Sequence, residues 1–524
     1  MKALHTLLAA LPRFSMRGDA HALARAVTSI EYDSRKCSAD ALFVAMRGVQ
    51  ADGHDFIPQA IERGARFIVA ERDIDELAAN VPESVALVVV PDARKALASL
   101  AHTWYDEPST KLRVFGVTGT NGKTTTTFLL KSLLEQSGES VGIIGTTGNY
   151  IGTDVIPSSF TTPEAPELCA LFVEMRKRGA TAIVMEVSSH ALALERVFGT
   201  TFAGAMFTNL TQDHLDFHHT MEEYAAAKQH LFTMLPVSAF AVGNASDAWN
   251  TFMFAESPVL PQNRLHYGRS EAADLRIQDV SLGFTETQFS LENAGATQSA
   301  VHHFTMSPIG GFNVDNAAGC LAMMRLLGAS WEQLAEWLKN VQGAPGRMQR
   351  IPLNASNGEA HTAHGAVAIV DYAHTPDALE KALLSCSELR DSAVPGNGNG
   401  NENGAKGRII CVFGCGGDRD RTKRPKMGAI AATLADIIIP TSDNPRTEDP
   451  LAILDDILAG IPKEKFPVTT VLADRREAIH HAVKQARSGD IVLIAGKGHE
   501  NYQILGTEKI HFDDTEVVQE ALAA

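Results

Sequence analysis

Residues 114–127, Val-Phe-Gly-Val-Thr-Gly-Thr-Asn-Gly-Lys-Thr-Thr-Thr-Thr, run from a short apolar stretch through a glycine-rich turn into a helix-forming segment. A strand that ends in such a turn and restarts as a helix belongs in a parallel sheet, with the turn at the carboxyl edge where phosphates are held. Gly119 and Gly122 let the backbone curl so that its N–H groups face inward, with Thr120, Asn121 and Thr125 completing the loop. Lys123 adds a point charge for terminal phosphates, and Thr124 offers a hydroxyl to a magnesium ion. ATP or GTP is the ligand to expect. The strict spacing G-x-x-x-x-G-K-[ST] puts a glycine at position 117, where this chain has Val117, so the general pattern is missed by one residue. The bland alternative is a Gly/Thr turn that binds nothing; the strand before it and the apolar Phe128-Leu129-Leu130 after it stand against that.

A chain of 524 residues is too long for one core and suggests three domains. Hydrophobic residues at 45% and charged ones at 21% exclude disorder as the default. The net charge of −16 argues against general nucleic-acid or anionic-membrane binding, which needs basic surface. Six cysteines, at 37, 169, 320, 386, 411 and 415, show no framework spacing, so a reducing cytoplasm fits best. Cys411 and Cys415 read as core and loop residues rather than metal ligands. The stretch from Leu4 to Leu11 is short and ends at Pro12-Arg13, which suggests an amphipathic helix and not a signal peptide, and no apolar run is long enough for a membrane span.

Strands and helices alternate along the whole chain, which predicts an α/β protein. Residues 1–111 carry expected strands at 41–46, 67–70 and 86–90 with helices at 57–63 and 93–104, closed by the polar turn Asp106-Glu107-Pro108-Ser109. Residues 112–343 follow, with strands at 140–144, 182–186, 203–208 and 239–242 predicting a mostly parallel sheet. After Gly343-Ala344-Pro345-Gly346, residues 344–524 form a third α/β region with strands expected at 366–371, 408–413, 437–440, 468–472 and 490–494. The Asn/Gly-rich run 395–407 has nothing apolar to bury and reads as a surface loop.

The strand at 182–186 delivers Glu186 to the sheet edge that also receives the glycine loop, placing it as a magnesium ligand or water positioner. A second strand ends in Thr208 to His218, crowding Asp213, His214, Asp216 and His218 together. That cluster alone reads either as a two-metal hydrolytic site or as caps and loop residues; beside a phosphate loop it suits magnesium bound to ATP. Lys228, in Tyr224-Ala-Ala-Ala-Lys228 on a helix beginning near Met221, reads by itself as a surface lysine. Asn313 and Asn316 likewise read as helix caps. Gly414-Cys415-Gly416-Gly417 lacks the full G-x-G-x-x-G spacing of a dinucleotide fingerprint.

In order and over nearly the whole chain, GTNGKTTTT at 119–127, EVSSH at 186–190, FTNLTQDHLDFH at 207–218, GGFNVDNAAG at 310–319, PGRM at 345–348, DYAHTPDALEKAL at 371–383, FGCGGDRDRTKRP at 413–425, SDNPRTEDP at 442–450 and AGKGHE at 495–500 resemble the successive motifs of the Mur ligase family, in the form seen in its diaminopimelate-adding members. The resemblance implies a central P-loop ATPase domain flanked by an N-terminal UDP-binding domain and a C-terminal Rossmann-like domain. It also implies a cytoplasmic enzyme of peptidoglycan synthesis with ATP and Mg2+ as cofactors, acting on UDP-N-acetylmuramoyl-L-alanyl-D-glutamate and meso-2,6-diaminopimelate. ATP phosphorylates the D-glutamate side-chain carboxylate, and the incoming amine attacks the acyl phosphate.

By the same resemblance Thr124, Glu186 and His214 hold magnesium, and Lys228 is carbamylated by carbon dioxide so that it becomes a carboxylate for a second ion. Asn313 and Asn316 lie near adenine, and Arg347 and Asp371 contact ATP; closure of the third domain then excludes water. Tyr32, Ser34, Val49, Gln50 and Ala51 contact uridine, and Thr161, Thr162, Ser188 and Arg196 the sugar-peptide. Val49 and Leu194 depart from the histidine and glutamine other members carry. Arg419, Asp443, Asn444, Pro445, Arg446, Gly496 and Glu500 receive the amino acid. The Arg446 guanidinium suits a distal carboxylate that lysine lacks. A lysine-adding relative, a folylpolyglutamate synthase-like ligase, an ATP-binding regulatory protein that senses a cell-wall precursor, and a metal hydrolase built on Asp213–His218 are the alternatives. A monomer is expected, with neither nucleic acid nor membrane as partner.

Overall fold

The computed structural model describes all residues except 19, 49–50, 73–75, 78–80, 153, 157–159, 285, 295–299, 308–309, 354–364 and 393–405. The chain divides into two compact units: residues 1–127 with 134–265, and residues 128–133 with 266–524.

The first unit opens with a short helix, Leu4–Leu8, whose Leu4, Leu7 and Leu8 are buried as the amphipathic spacing requires. A five-stranded sheet follows, built from β1 (Ser15–Arg17), β2 (Ile30–Glu31), β3 (Leu42–Val44), β4 (Phe67–Ala70) and β5 (Ala86–Val89) in the order β1-β5-β4-β3-β2. Only β1 runs antiparallel to its neighbour. Helix α1 (Ala93–Trp104), capped by the Asp92 carboxylate on the Lys95 N–H, buries Leu97 and Leu100.

Strand β6 (Arg113–Thr118) leads through the glycine loop into α2 (Lys123–Gln136). Then come β7 (Val141–Gly145), β8 (Gly148–Ile151), β9 (Asp154–Ile156), α3 (Ala165–Lys177), β10 (Ala182–Glu186), β11 (Phe202–Phe207), α4 (Met221–Thr233) and β12 (Phe240–Asn244). Their sheet order is β9-β8-β7-β10-β6-β11-β12. β7, β10, β6, β11 and β12 are parallel, which lines up the carboxyl ends of β6 and β10, whereas β8 and β9 fold back as antiparallel hairpins. Parallel strands covered on both faces read as continuous apolar runs, and β10 is buried throughout.

β13 (Arg264–Gly268), which enters the second unit at His266, pairs in parallel with β14 (Leu275–Leu282) through Tyr267↔Leu275, and β15 (Thr287–Asn293) and β16 (Ala300–Met306) continue antiparallel. This antiparallel run is additional to the mostly parallel sheet expected. Helices α5 (Gly311–Leu326) and α6 (Trp331–Lys339) follow, α6 closed by a capping box between Ser330 and Gln333.

The last region holds β17 (Gln349–Pro352), β18 (Val367–Asp371), α7 (Pro376–Asp391), β19 (Ile409–Phe413), α8 (Lys423–Leu434), β20 (Ile437–Pro440), α9 (Pro450–Leu458), α10 (Arg475–Gln485), β21 (Ile491–Ala495), the hairpin β22 (Tyr502–Leu505) with β23 (Glu508–His511), and α11 (Asp514–Ala523). Its sheet order is β17-β18-β21-β19-β20, parallel except for β17. The strand expected at 468–472 does not form. Lys463–Val468, which includes Pro467, winds into a short 3-10 turn, and the chain beyond it runs beside β20 through an isolated bridge of Thr469 to Ile438 and bonds from Thr470 N–H to Ile438 O at 2.9 Å and Leu472 N–H to Pro440 O at 3.1 Å. Proline has no N–H for a ladder, so the pairing cannot extend backward. None of the six cysteines forms a disulfide and all are buried, Cys415 Sγ lying 3.6 Å from Met427 Sδ. The expected surface loop at 395–407 falls mostly outside the described residues. No described helix is long and apolar enough to cross a membrane.

Candidate active site

The glycine loop takes the form its composition asks for. Gly119 sits at φ +149°, where a side chain is strained, and a Cβ there would collide with Thr208 Oγ1. The loop is tied to the end of β11: Thr120 N–H donates to Asn209 O at 2.8 Å, and Asn121 N–H to Asn209 Oδ1 at 3.0 Å. Lys123 Nζ arches back over the loop, donating to Gly119 O at 3.0 Å and Thr120 O at 2.9 Å.

Glu186, at the carboxyl end of β10, is 1% exposed. Its carboxylate accepts from Thr124 Oγ1 at 3.0 Å, from Thr146 N–H at 2.9 Å and from Thr146 Oγ1 at 3.1 Å. Thr146 lacked any sequence signal beyond its place after an apolar strand. A Cβ at Gly145 would lie 2.5 Å from Glu186 Oε1, so any larger residue there forces this carboxylate to shift. Gly145→Ala is expected to cost about 1–3 kcal/mol in thermal or denaturant unfolding, because the buried carboxylate must move off its donors. A loop hydroxyl and one buried carboxylate suit magnesium, which is held by one or two carboxylates together with substrate phosphates.

Lys228 is not on the surface. It is 1% exposed on α4, and its Nζ donates to Gly119 O at 2.8 Å, the same carbonyl that Lys123 reaches. Burial, with the Lys123 charge adding to it, drives its pKa well below the ordinary lysine value. The Tyr224 ring lies 4.6 Å from this nitrogen, and the Tyr224 hydroxyl is 3.1 Å from Thr120 Oγ1. α4 is thereby bound to the loop along two turns.

His214, at φ +53°, pairs with Asp213 at 3.5 Å and meets the His190 ring at 4.8 Å. His218 is buried, 2.9 Å from Ser189 Oγ. No group of three or more His, Cys, Asp or Glu side chains able to hold a metal occurs among the described residues. The structure brings Thr124, Glu186, Lys123 and Lys228 around one loop, and His214 beside His190 and Tyr224.

Burial lowers the His218 pKa to about 4, and that of His102, also buried, to about 4. The folded state holds these rings neutral while the unfolded chain protonates them near pH 6.5, so their stabilisation is full above that pH and is lost as pH falls toward 4. Unfolding free energy is expected to drop by up to about 1.4 kcal/mol per pH unit for each histidine in that window, read from denaturant titrations at stepped pH.

Residues matched to the nucleotide sugar also lie in the first unit. Tyr32 OH donates to Glu167 on α3 at 2.9 Å, and burial raises its pKa. Ser34 Oγ donates to Gln59 Oε1 at 2.6 Å, and Ala51 is exposed; Val49 and Gln50 lie outside the described residues. Thr161 Oγ1 is 3.0 Å from Thr146 Oγ1, and Thr162 Oγ1 donates to Glu186 O at 2.8 Å. Ser188 caps the following turn on Ala191 N–H, while Arg196 donates to Thr162 O at 3.1 Å and pairs with Glu164 at 2.7 Å. Glu164 and Glu167, missed in the sequence because they look like ordinary helix-start acids, join these two groups through α3.

In the second unit Asn313 and Asn316 are buried, not capping; Gly310 holds the N-cap position, and Asn316 Nδ2 donates to Asn313 Oδ1 at 3.3 Å. Met348 N–H donates to Asp371 Oδ2 at 2.8 Å, burial raises the Asp371 pKa against the pull of Arg347, and the Arg347 guanidinium lies 4.9 Å from the Tyr372 ring centroid.

The loop after β20 carries Asp443 and Asn444, held against the loop after β21, and Pro445 and Arg446, held against Gly417 in the loop after β19. Arg446, at φ +52°, donates to Gly417 O at 2.9 Å, next to exposed Arg419. A Cβ at Gly496 would lie 2.6 Å from Asp443 Oδ2. Asn444 Nδ2 donates to Glu500 Oε2 at 3.0 Å.

Three family descriptions match in sequence: the Mur ligase family catalytic domain over residues 26–105, the Mur ligase middle domain over 117–324, and the Mur ligase glutamate ligase domain over 346–498. A Clostridium acetobutylicum protein named UDP-N-acetylmuramoyl-L-alanyl-D-glutamate–2,6-diaminopimelate ligase 1 is 42% identical across 94% of both chains. Similarly named proteins of Gloeobacter violaceus and Bacillus cereus are 44% identical over 95% of this chain (94% of theirs) and 41% over 99% (98% of theirs). A solved structure of a ligase of that name superposes with a TM-score of 0.69 at 32% identity, covering 100% of this chain and 99% of its own. A MurF ligase from Thermotoga maritima in complex with ADP shares the fold, with a TM-score of 0.54 at 19% identity over 94% of this chain and 96% of its own. With all three domains matched and relatives of this similarity along nearly its full length, the chain belongs to the Mur ligase family.

Proposed function

We propose that the chain is an ATP-dependent ligase that adds meso-2,6-diaminopimelate to the D-glutamate side-chain carboxylate of UDP-N-acetylmuramoyl-L-alanyl-D-glutamate, a step of peptidoglycan synthesis. The observation that carries this reading is the convergence of Lys123 and Lys228 on one loop carbonyl beside the Thr124–Glu186 contact, in a chain similar end to end to ligases of that name. Lys123 brings positive charge to the place where two anions, triphosphate and acid, have to meet.

Lys123 and the loop N–H groups hold the terminal phosphates, and Thr124, Glu186 and His214 hold magnesium. Magnesium, when bound, neutralises charge on the phosphate oxygens. The substrate carboxylate attacks the γ-phosphorus, ADP leaves, and the amine of the amino acid attacks the acyl phosphate, releasing phosphate and leaving an amide. A lysine held neutral has the free electron pair needed to take up carbon dioxide, so the depressed Lys228 pKa supports its carbamylation. Gly119, Thr120, Asn121, Gly122, Thr125, Asn313, Asn316, Arg347 and Asp371 complete the ATP contacts. Tyr32, Ser34, Val49, Gln50, Ala51, Thr161, Thr162, Ser188 and Arg196 hold the nucleotide-sugar dipeptide. Arg419, Asp443 to Arg446, Gly496 and Glu500 receive the amino acid.

We place the domain borders at 111/112 and 343/344 and the enzyme in the cytoplasm, as a monomer. Phosphate release from purified protein with ATP and magnesium is expected to require both the UDP-sugar dipeptide and meso-diaminopimelate. Release without the amino acid, or with lysine serving equally well in an amino-acid panel, sinks the proposal.

A further inference from the structure

The two loops assigned to the amino acid are fastened by groups that the assignment leaves out. Lys497 is 0% exposed. Its Nζ donates to Glu500 Oε2 at 3.2 Å and to Asn444 Oδ1 at 3.2 Å. Asn444 closes the triangle, donating from Nδ2 to the same Glu500 oxygen at 3.0 Å while its Oδ1 also accepts from Ile504 N–H at 3.0 Å. Strand β22 grips the remainder of the loop: Gln503 Nε2 donates to Asp443 O at 2.7 Å, Arg446 N–H to Ile504 O at 3.2 Å, and Gly506 N–H to Arg446 O at 2.8 Å. Arg446 is thus held in a left-handed backbone conformation that an unsupported arginine leaves readily.

We propose that Lys497 and the β22–β23 hairpin are the positioning apparatus for the far end of the amino acid. They fix the Glu500 carboxylate and the backbone from which the Arg446 guanidinium projects, so that the two present opposite charges matched to an ammonium and a carboxylate on one carbon. The inference rests on the ligase reading above. Its reason is electrostatic and geometric. A buried ammonium that shares an oxygen of Glu500 and the amide of Asn444 lets neither rotate, and the Asn444 amide in turn fixes the N–H of Ile504, whose carbonyl holds Arg446. Lys497 itself need not touch the substrate. Selectivity for the doubly charged end is then set one layer behind the residues that meet it.

The test is steady-state kinetics of Lys497→Met, whose side chain keeps the length without the charge. The Michaelis constant for meso-diaminopimelate should rise about tenfold or more, with kcat within about threefold and the constants for ATP and the UDP-sugar dipeptide unchanged. Gln503→Leu, which leaves Lys497 in place and frees Asp443, should move the same constant in the same direction by a smaller factor. An unchanged constant for meso-diaminopimelate, or an equal rise in all three, overturns the inference. If Lys497→Met fails to fold, judged by melting, Gln503→Leu decides alone by the same criteria. Failure of the unaltered enzyme to use meso-diaminopimelate at all strikes the parent reading instead, so the two failures are told apart.

Discussion

Lys228→Met is expected to abolish ligation, by about 10²–10³-fold or more in kcat, while raising the melting temperature of the ligand-free protein. Both effects follow from the same burial. The nitrogen is enclosed and shares its acceptor Gly119 O with Lys123, and its desolvation outweighs the opposing pull of the Asp213 charge. Methionine fills similar space without a charge to desolvate. The gain should be about 1–2 kcal/mol, or roughly 2–4 °C for each kcal/mol in a unit of this size. Its pH dependence has a definite sign. The folded Lys228 pKa is depressed below the unfolded value of 10.5, so the unfolded chain binds the extra proton and lysine costs stability below that pH. The advantage of methionine should therefore be largest at lower pH and fade toward pH 10.5. Calorimetry on both proteins across that range checks it, and a melting temperature lowered by the substitution would show that lysine stabilises the fold. Full activity in Lys228→Ala, with or without bicarbonate, would remove the carbamate role.

The second large effect concerns choice of amino acid. Arg446→Lys should reduce the preference for meso-diaminopimelate over lysine by about 10–100-fold, measured as the ratio of kcat/KM values. A guanidinium meets a carboxylate with two parallel N–H groups, whereas an ammonium offers a point charge on a flexible stem. Arg446 already has one nitrogen on Gly417 O at 2.9 Å, which orients the plane, and a lysine cannot make that contact and a paired one together. The same guanidinium repels the terminal ammonium of lysine, so the wild-type preference combines attraction with exclusion. Unchanged selectivity in the variant would remove Arg446 from the pocket.

The parts legible in the sequence are those whose signal is local. Strand β6, the glycine loop and α2 follow from an apolar run, two glycines and a helix-forming tail, and β10 from five apolar residues ending at Glu186. The start of α4 near Met221 was legible too, and Thr220 caps it by accepting from Glu223 N–H. The burial of Lys228 was not, because Tyr-Ala-Ala-Ala-Lys carries no local mark of the glycine loop that packs against it through Gly119 O. Asn313 and Asn316 looked like caps for the same reason: their place within the first turns of α5 is set by Gly310, which starts the helix earlier. The hairpin at 502–511 escaped notice since its strands are short and partly exposed, and its turn offers only Gly506. Conversely, the apolar content at 468–472 suggested a strand, whereas Val468 is taken up in a 3-10 turn and the rest only follows β20 through an isolated bridge and two backbone bonds.

The enclosed thiols give this protein a built-in clock. All six are shielded, and burial pushes Cys37 up to about 11 and Cys411 and Cys415 up to about 12, so little thiolate exists at neutral pH for an alkylating reagent to attack. Maleimide incorporation followed by mass spectrometry should remain near zero in the native protein. The order in which cysteines 37, 169 and 386 acquire label on warming would then report which sheet opens first.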